Sequence, residues 1–520
     1  ADRARLEADL LLAAVVEPYD LQNGPLVRFT TVTMTANESL LIIAAHHIIC
    51  DGWSFGVLAE ELRELYGPEE TGRALPLGEA SQFTEYAASL HSGDAQSAIE
   101  DATAYWVNQF ATIPEPLELP LDHQRPLIKT YASAREDFHW SPALVNEIRA
   151  MGARANSSLF VTMLGGFSAL LARLSGQDDV VVGIASAGQA TANQPDLVGH
   201  CVNMLPIRTR PVATQQFQEY LEALRSTTLD AFEHQSLGFG QLLERLPVPR
   251  DPSRTPLISV VFNLERAVRP SQLLFDGCIV DMHSVPRTAE NFDVFLNVVE
   301  GDAGLALECQ YNTDLFDRDT IHRWLASYEL LMQSAVDNPS LPIGKLAVRT
   351  AEDLAAFARC NDTALFVPAG SLVHELIEAQ VRCTPERVAV EQYDRSVSYG
   401  ALNAAANRLA HHLRALDIGR GSLVGLYLGR TPETIVALLA VLKAGAGYVP
   451  LDPSQPLARL KVIAGDANLA AIITDNALET EARQLTSVVI AMDGDHEAIA
   501  TAPSTNLARD SRAAVPASPA

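Results

Sequence analysis

Cysteine is scarce and scattered. The six residues, Cys50, Cys201, Cys278, Cys309, Cys360 and Cys383, form no Cys-x-x-Cys pair, which argues against zinc ribbons and redox pairs and leaves reduced thiols as the expectation. Long hydrophobic stretches are missing too. The longest purely apolar run, 435–442, has eight residues, far short of the roughly 20 of a membrane-spanning helix. Positive charge is in deficit, with 38 lysines and arginines against 64 acids and a net charge of −26. Such a field repels phosphate backbones and anionic lipid, so neither nucleic acid nor a membrane is an expected partner. Residue 1 is Ala rather than Met, and the apolar stretch 10–16 is flanked by Glu7, Asp9 and Glu17. It lacks the basic start of a secretory signal, and a piece of a longer cytoplasmic polypeptide is expected.

What is present is an ordinary globular composition. The 520 residues are 48% apolar and 20% charged, with 30 Gly and 29 Pro, enough for three or four domain-sized units. Three composition shifts divide the chain. The Pro-rich stretch 113–120, followed by Arg125-Pro126, resists helix and central strand and reads as a linker or crossover. Asn338-Pro339 and Pro342 mark a second break, ahead of a short helix-like segment and Asn361-Asp362-Thr363. From Thr501 the chain is rich in Ala, Ser and Pro without periodicity, and a disordered tail is expected. Between the breaks, strand-like runs alternate with amphipathic helices, which favours layered α/β construction. Ser141-Pro142 reads as an N-cap followed by a first-turn proline, with Leu144, Ile148 and Met151 on one face. The spacing predicts a helix over 158–174 ending at Gly176, then a strand at 180–182. Later, 423–428, a helix over 432–444 with Gly445 behind it, and 470–474 form an expected βαβ unit.

The stretch that carries chemistry is Leu40-Leu-Ile-Ile-Ala-Ala-His46-His47-Ile-Ile-Cys-Asp51-Gly52-Trp53-Ser54. Its apolar run predicts a buried strand, and the polar groups behind it fall where the chain leaves a sheet. Consecutive strand residues face opposite ways, so His46 and His47 cannot both serve one site and only one is expected to be catalytic. Ser54 is expected to cap a helix with an apolar stripe of Leu58, Leu62 and Leu65 and a stop at Gly67. The positive end of that helix would face the histidines, where N–H groups around Gly52 are candidates to hold a developing negative oxygen. A plain turn glycine is the alternative. Metal is the main rival for two histidines and an aspartate. Adjacent histidines on opposite faces chelate poorly and HExxH is absent, so no metal is expected. A buried structural pair is the default for His-His alone; the Asp-Gly-Trp-Ser continuation shifts the balance toward a site.

His46-His47-Ile-Ile-Cys-Asp51-Gly52 resembles the HHxxxDG signature of the condensation domains of nonribosomal peptide synthetases. Four further motifs follow in the family's order: Phe83-Thr-Glu-Tyr86-Ala87, Val198-Gly199-His-Cys-Val-Asn203-Met-Leu-Pro-Ile-Arg208, His234-Gln235, and Arg250-Asp-Pro-Ser-Arg254-Thr-Pro256-Leu257. Beyond them, Leu372-Val-His-Glu-Leu376, Val397-Ser-Tyr399-Gly-Ala-Leu402-Asn403 and Leu442-Lys443-Ala-Gly445-Ala-Gly-Tyr448-Val-Pro450-Leu-Asp452-Pro453 resemble the opening of an adenylation domain. The resemblance covers nearly the whole chain.

It implies an α/β fold: a chloramphenicol-acetyltransferase-like, two-lobed condensation domain with its first lobe truncated, then a partial α/β adenylate-forming N-terminal subdomain. The expected boundaries are 1–120 for the partial N-terminal lobe, 121–345 for the C-terminal lobe, 346–370 for a linker, 371–500 for the partial adenylation domain and 501–520 for the tail. The implied reaction joins a donor acyl or peptidyl thioester to an acceptor aminoacyl thioester as an amide. Both substrates would ride on 4'-phosphopantetheine arms of upstream donor and downstream acceptor carrier protein domains. His47 is expected to orient the amine and accept its proton, Gly52 to donate to the oxyanion, Asp51 to organise the loop and His46 to support the fold. Trp53, Asn203 and Arg208 are weaker, substrate-binding candidates.

Three departures from the family's pattern matter. The motif aspartate is usually held by an arginine, one partner of which falls outside this sequence, so Asp51 is expected to be unpaired or paired differently. Cys201-Val-Asn-Met204-Leu-Pro replaces the common Phe-Val-Asn-Thr and is similar to condensation domains of mixed polyketide–peptide lines, which implies an unusual donor. ATP and Mg belong only to a complete adenylation domain; no Gly/Ser/Thr-rich phosphate loop is found, Lys443 is expected in packing, and the stretch alone is expected to be inactive. Rival assignments are an epimerisation domain, not normally followed directly by adenylation, a heterocyclisation domain, which would carry aspartate in place of both histidines, a coenzyme-A-dependent acyltransferase, and a noncatalytic docking or scaffold fragment.

Overall fold

The computed structural model describes residues 2–66, 78–266, 275, 277–282, 284–365 and 370–508, and the chain divides into two compact units, Ala1–Asp362 and Thr363–Ala520. In the first, helix α1 (Asp2–Val16) and the hairpin β1 (Val27–Thr35) and β2 (Glu38–Ala45) lead to α2 (Gly52–Tyr66), α3 (Phe83–Ser89) and α4 (Gly93–Gln109). Next come β3 (Ser133–Trp140), α5 (Pro142–Arg154), α6 (Leu159–Ser175), β4 (Val180–Ala187), the short α7 (Gly188–Thr191), β5 (Val202–Thr209), α8 (Phe217–Glu233) and α9 (Phe239–Arg245). Strands β6 (Val260–Arg266), β7 (Val294–Gly301) and β8 (Gly304–Asn312) and helices α10 (Arg318–Asp337) and α11 (Ala351–Cys360) complete it.

Six strands form one sheet in the order β3-β8-β7-β6-β4-β5. The β4–β6 and β6–β7 pairs are parallel and the others antiparallel. Helices α5, α6, α8 and α10 pack against one another and the sheet, burying Ile148, Leu164, Leu171, Val182, Leu296 and Tyr328 in one core. Local signals in the sequence set these helix ends. Ser141 caps α5 through its hydroxyl, which accepts from Leu144 N–H at 3.3 Å, with Pro142 at the first helical position. Ser158 caps α6 in the same way, and Gly176 ends it with φ of 73°, a left-handed conformation in which a Cβ is strained. No single helix among the described residues is long and apolar enough to cross a membrane. The apolar α6 is instead buried across 161–172 in the core.

The run 40–45, expected to be a buried strand, is β2 of a two-stranded hairpin in which only Ile42 is buried. A hairpin presents two faces, and here the helix α1 packs against β2 while most of the apolar side chains of β2 keep some exposure. The expected cap at Ser54 is also corrected. Helix α2 begins at Gly52, and Asp51 is the residue whose side chain meets the third N–H of the helix. Of the expected stripe, Leu65 is exposed, and Gly67 lies outside the described residues.

The second unit contains α12 (Val373–Cys383), the pair β9 (Val388–Gln392) and β10 (Arg395–Ser398), α13 (Tyr399–Ala415), β11 (Leu423–Tyr427) and α14 (Pro432–Ala444). Strand β12 (Gly447–Pro450), α15 (Leu457–Asp466), β13 (Ala471–Thr474), α16 (Glu479–Ala482), β14 (Val489–Ala491) and α17 (His496–Thr501) follow. The parallel sheet order is β12-β11-β13-β14. The expected βαβ unit is therefore present with one change: after α14 the chain first enters β12, on the other side of β11, and reaches β13 only after α15. The tail is in part ordered. Asn407 Nδ2 donates to Ser504 O at 2.7 Å, Asn403 and Asn407 both donate to Asn506 Oδ1 at 2.9 Å, and Leu507 packs on the core. Buried asparagines on α13 need acceptors and take them from this strand of chain; positions 509–520 lie outside the described residues.

Candidate active site

The histidine loop starts where β2 ends. The ladder closes through His46 N–H, which donates to Leu26 O at 2.8 Å. The His46 ring turns back toward the N-terminal segment, edge-on to Tyr19 with centroids 5.6 Å apart, while its Nδ1 accepts from Ile48 N–H at 3.1 Å. Tyr19 in turn lies under the Arg28 guanidinium at 3.9 Å. His47 is exposed and turns elsewhere. Its ring meets that of His200 at a centroid distance of 4.9 Å and an angle of 88°, with the two Nδ1 atoms 3.1 Å apart. The adjacent imidazoles thus have separate partners, Tyr19 on the segment ahead of the hairpin and His200 on the loop before β5.

Asp51 is 1% exposed and saturated. Oδ1 accepts from Ser54 N–H at 2.9 Å and from the Ser54 hydroxyl at 2.8 Å; Oδ2 accepts from Gln189 Nε2 at 2.8 Å and Cys201 N–H at 3.0 Å. It is paired differently from the family's usual pattern: the partners are a neutral amide and backbone, and no described arginine is among them. Burial opposes its ionisation, but the hydrogen bonds from Gln189, Cys201 and Ser54 together outweigh that and hold the carboxyl below its usual range. The Ser54 hydroxyl also accepts from Gly199 N–H at 3.0 Å.

These bonds tie three sequence motifs into one place. Phe83 and Tyr86 of α3 lie against the backbone of Gly199 and Gly188, and Tyr86 packs with Leu197 and Cys201. At Gly188 a Cβ would stand 2.5 Å from the Cys201 carbonyl oxygen and collide with the Tyr86 hydroxyl. Only glycine lets the start of α7 approach that closely and bring Gln189 under Asp51.

The remaining predicted residues bond to other parts of the fold. Trp53 Nε1 donates to Pro195 O at 2.7 Å, pinning the loop ahead of β5. Asn203 uses all four of its hydrogen-bonding positions: Nδ2 donates to Gln235 O and Leu237 O, and Oδ1 accepts from Met204 and Phe239 N–H. Arg208 forms a two-point ion pair with Asp179 at 2.9 and 2.7 Å and donates to the carbonyls of Gln109 and Thr112. In the β4–β5 ladder Asn203 stands opposite Ser186 and Arg208 opposite Val181, five residues or roughly 16 Å along the strand. The fold therefore brings His47, Asp51, Gly52 and His200 together and leaves Arg208 apart.

Gly52 is the first residue of α2, so its N–H has no partner inside the helix. A Cβ built there would lie 3.9 Å from Glu265 Oε2. Burial pushes the Glu265 carboxyl up, a hydrogen bond from Asn297 partly offsets this, and the Glu308 charge adds to the rise. A carboxyl with a raised pKa before a helix N-terminus was not foreseen. Nor were Gln189 and His200 given roles, although His200 is the third histidine among the matched motifs up to that point. Its pKa is lowered, first by burial and then by the His47 charge, with Asp51 acting in the opposite sense. Among the described residues, no group of three or more His, Cys, Asp or Glu side chains is placed to hold a metal ion.

Comparison with known proteins shows the family and the fold. The family model described as "Condensation domain" matches residues 2–355, and that described as "AMP-binding enzyme" matches 377–519. Malpinin synthetase of Mortierella alpina is 34% identical over 459 residues, which cover 88% of this chain and 6% of that protein. Surfactin synthase subunit 2 of Bacillus subtilis (strain 168) is 31% identical, over 94% of this chain and 13% of its own length. The chain thus spans only a small part, 6% and 13%, of the length of these curated relatives. Among solved structures, the four-domain nonribosomal peptide synthetase holo-AB3403, bound to AMP and glycine, is similar with a TM-score of 0.76 at 24% identity, over 95% of this chain and 39% of that one. The condensation domain of the Monacolin K polyketide synthase MokA gives a TM-score of 0.59 at 21% identity, over 66% of this chain and 79% of that one. At these identities the structural likeness establishes the fold. Taken with the family models and the synthetase relatives, the chain belongs to the condensation-domain family of the nonribosomal peptide synthetases, with part of an AMP-binding enzyme domain following it.

Proposed function

We propose that His47 serves amide formation between a donor acyl thioester and an acceptor aminoacyl thioester, each carried on the phosphopantetheine arm of a carrier protein domain in the parent polypeptide. The observation that carries this is the exposed His47 ring, fixed through Nδ1 above a buried, fully satisfied Asp51 turn. The acceptor amine attacks the thioester carbonyl carbon, forming a C–N bond and an oxyanion. His47 takes the surplus proton from nitrogen, the C–S bond breaks as the oxyanion collapses, and the leaving sulfur receives that proton. The amine itself needs little activation. With a pKa near 7.7 to 8.0, roughly a tenth of it is neutral at pH 7, a deficit of about 1 kcal/mol. Positioning two tethered groups can supply about 7 to 11 kcal/mol, and a general base ~10² to 10⁴-fold. Most of the rate should come from holding the arms in line.

Gly52 is our candidate oxyanion donor through its free N–H. Glu265 must then be protonated or displaced when negative charge develops there, and the raised pKa of Glu265 suits that need. In the second unit Lys443 is buried and ion-paired with Glu378, so it has no free ammonium for a phosphate, and no step is assigned to a nucleotide here. We place this chemistry in the cytoplasm, in keeping with six free cysteines. The test is His47→Ala in the complete open reading frame, with donor and acceptor carriers loaded and carrier-bound products followed by mass spectrometry. Amide should disappear while carrier loading persists; undiminished amide would remove His47 from the chemistry.

A further inference from the structure

Fold and family alone do not assign the second imidazole of the site. His200 and His47 come from elements 153 residues apart and meet Nδ1 to Nδ1 at 3.1 Å with perpendicular rings. One shared proton lies between the two nitrogens, and its owner decides what His47 offers to a substrate. If His47 donates, its Nε2 holds a lone pair and is a base. If His200 donates, His47 Nε2 carries hydrogen and cannot accept one.

The backbone on both sides of His200 is clamped. Gly199 N–H donates to Ser54 Oγ and Cys201 N–H to Asp51 Oδ2, each at 3.0 Å. Asp51 thus reaches His47 indirectly: it holds the strand entry that carries His200, and His200 holds the ring. We propose that His200 is a positioning residue, accepting the Nδ1 proton of His47 so that His47 Nε2 is presented as the base. This rests on His47 being the base of amide formation. When the amine proton arrives at Nε2, the imidazolium keeps its Nδ1–H on His200 and returns the Nε2 proton to the leaving sulfur, so His200 ends each turnover unchanged. Burial and the His47 charge both favour neutral His200, the form able to accept. The charged groups to reckon with are Asp51 at the cap of α2 and Glu265 facing its first turn.

The experiment compares His200→Ala, His200→Asn and His200→Asp with His47→Ala in the complete open reading frame, using loaded carriers and single-turnover amide formation. His200→Ala should lower kcat about 10- to 100-fold, a share of the ~10² to 10⁴ that a positioned base contributes, with KM within twofold. His200→Asn, which restores an acceptor oxygen, should recover most of that loss. His200→Asp should move the acid limb of the kcat/KM profile to higher pH, because a carboxylate favours the protonated ring that is inactive as a base. Full kcat in His200→Ala, or Asn no better than Ala together with an unmoved profile in Asp, would overturn the assignment. If the alanine variant does not fold, the Asn rescue and the Asp profile decide alone. Loss in His47→Ala with full activity in His200→Ala rejects only the role of His200; activity in His47→Ala rejects the base itself.

Discussion

Asp51→Asn isolates what the buried carboxylate contributes. The substitution keeps the shape but replaces one acceptor oxygen by an NH₂ group. Four donors now converge on the carboxylate: Ser54 N–H, the Ser54 hydroxyl, Gln189 Nε2 and Cys201 N–H. Gln189 can respond by flipping its amide, since its Oε1 has no partner and would accept from the new NH₂. The backbone N–H of Cys201 has no such recourse and is left facing a donor. An unmet buried donor costs about 1 to 3 kcal/mol, and the remaining bonds fall from the charged to the neutral class, losing about 1 kcal/mol or more. The expected destabilisation is therefore about 2 to 5 kcal/mol, treated as one coupled network. Urea unfolding followed by tryptophan fluorescence measures it cleanly, because all four tryptophans, Trp53, Trp106, Trp140 and Trp324, belong to the first unit. Acid supplies a second measurement. The folded pKa of Asp51 lies below its ordinary value near 3.8, so its stabilisation is full above that value and fades as pH falls through the folded pKa. The gap between wild type and Asp51→Asn should narrow in that acid window. A variant within 1 kcal/mol of wild type at pH 7, with no narrowing in acid, would refute the network.

Two other perturbations separate scaffold from chemistry. Gly188→Ala should destabilise the first unit by about 1 to 3 kcal/mol, since the added Cβ meets the Cys201 carbonyl and the Tyr86 hydroxyl; an unchanged urea midpoint would mean α7 can shift freely. Arg208→Ala should lower stability by about 1 to 3 kcal/mol by uncoupling Asp179 and two carbonyls. Its amide-forming rate per folded molecule should stay within twofold, and a larger loss would place Arg208 in the chemistry.

Local features were legible wherever a short-range rule governs. The α5 and α6 caps, the stop at Gly176 and the strand at β4 lie where serine, proline, glycine and apolar periodicity put them. The rule failed at residues 40–45 because a run of apolar residues states only a preference for burial, and burial depends on what the rest of the chain lays over it. It failed at Ser54 because Asp51 and Ser54 are both good caps three residues apart, and the carboxylate takes the Ser54 N–H while the hydroxyl serves Gly199. Strand β12 was missed because Gly447 and Pro450 are poor strand formers that the parallel ladder to β11 nevertheless accepts at a sheet edge.

The sequence by itself determined the motifs and their order, which are written in residue types and short spacings. Only the tertiary structure decided their partners: Gln189 for Asp51 from 138 residues away, His200 for His47 from 153, and Asp179 for Arg208 at the far end of the same ladder. The physical reason is that these meetings are set by sheet register and by a close approach at Gly188, quantities that involve two distant segments at once and leave no periodic trace in either.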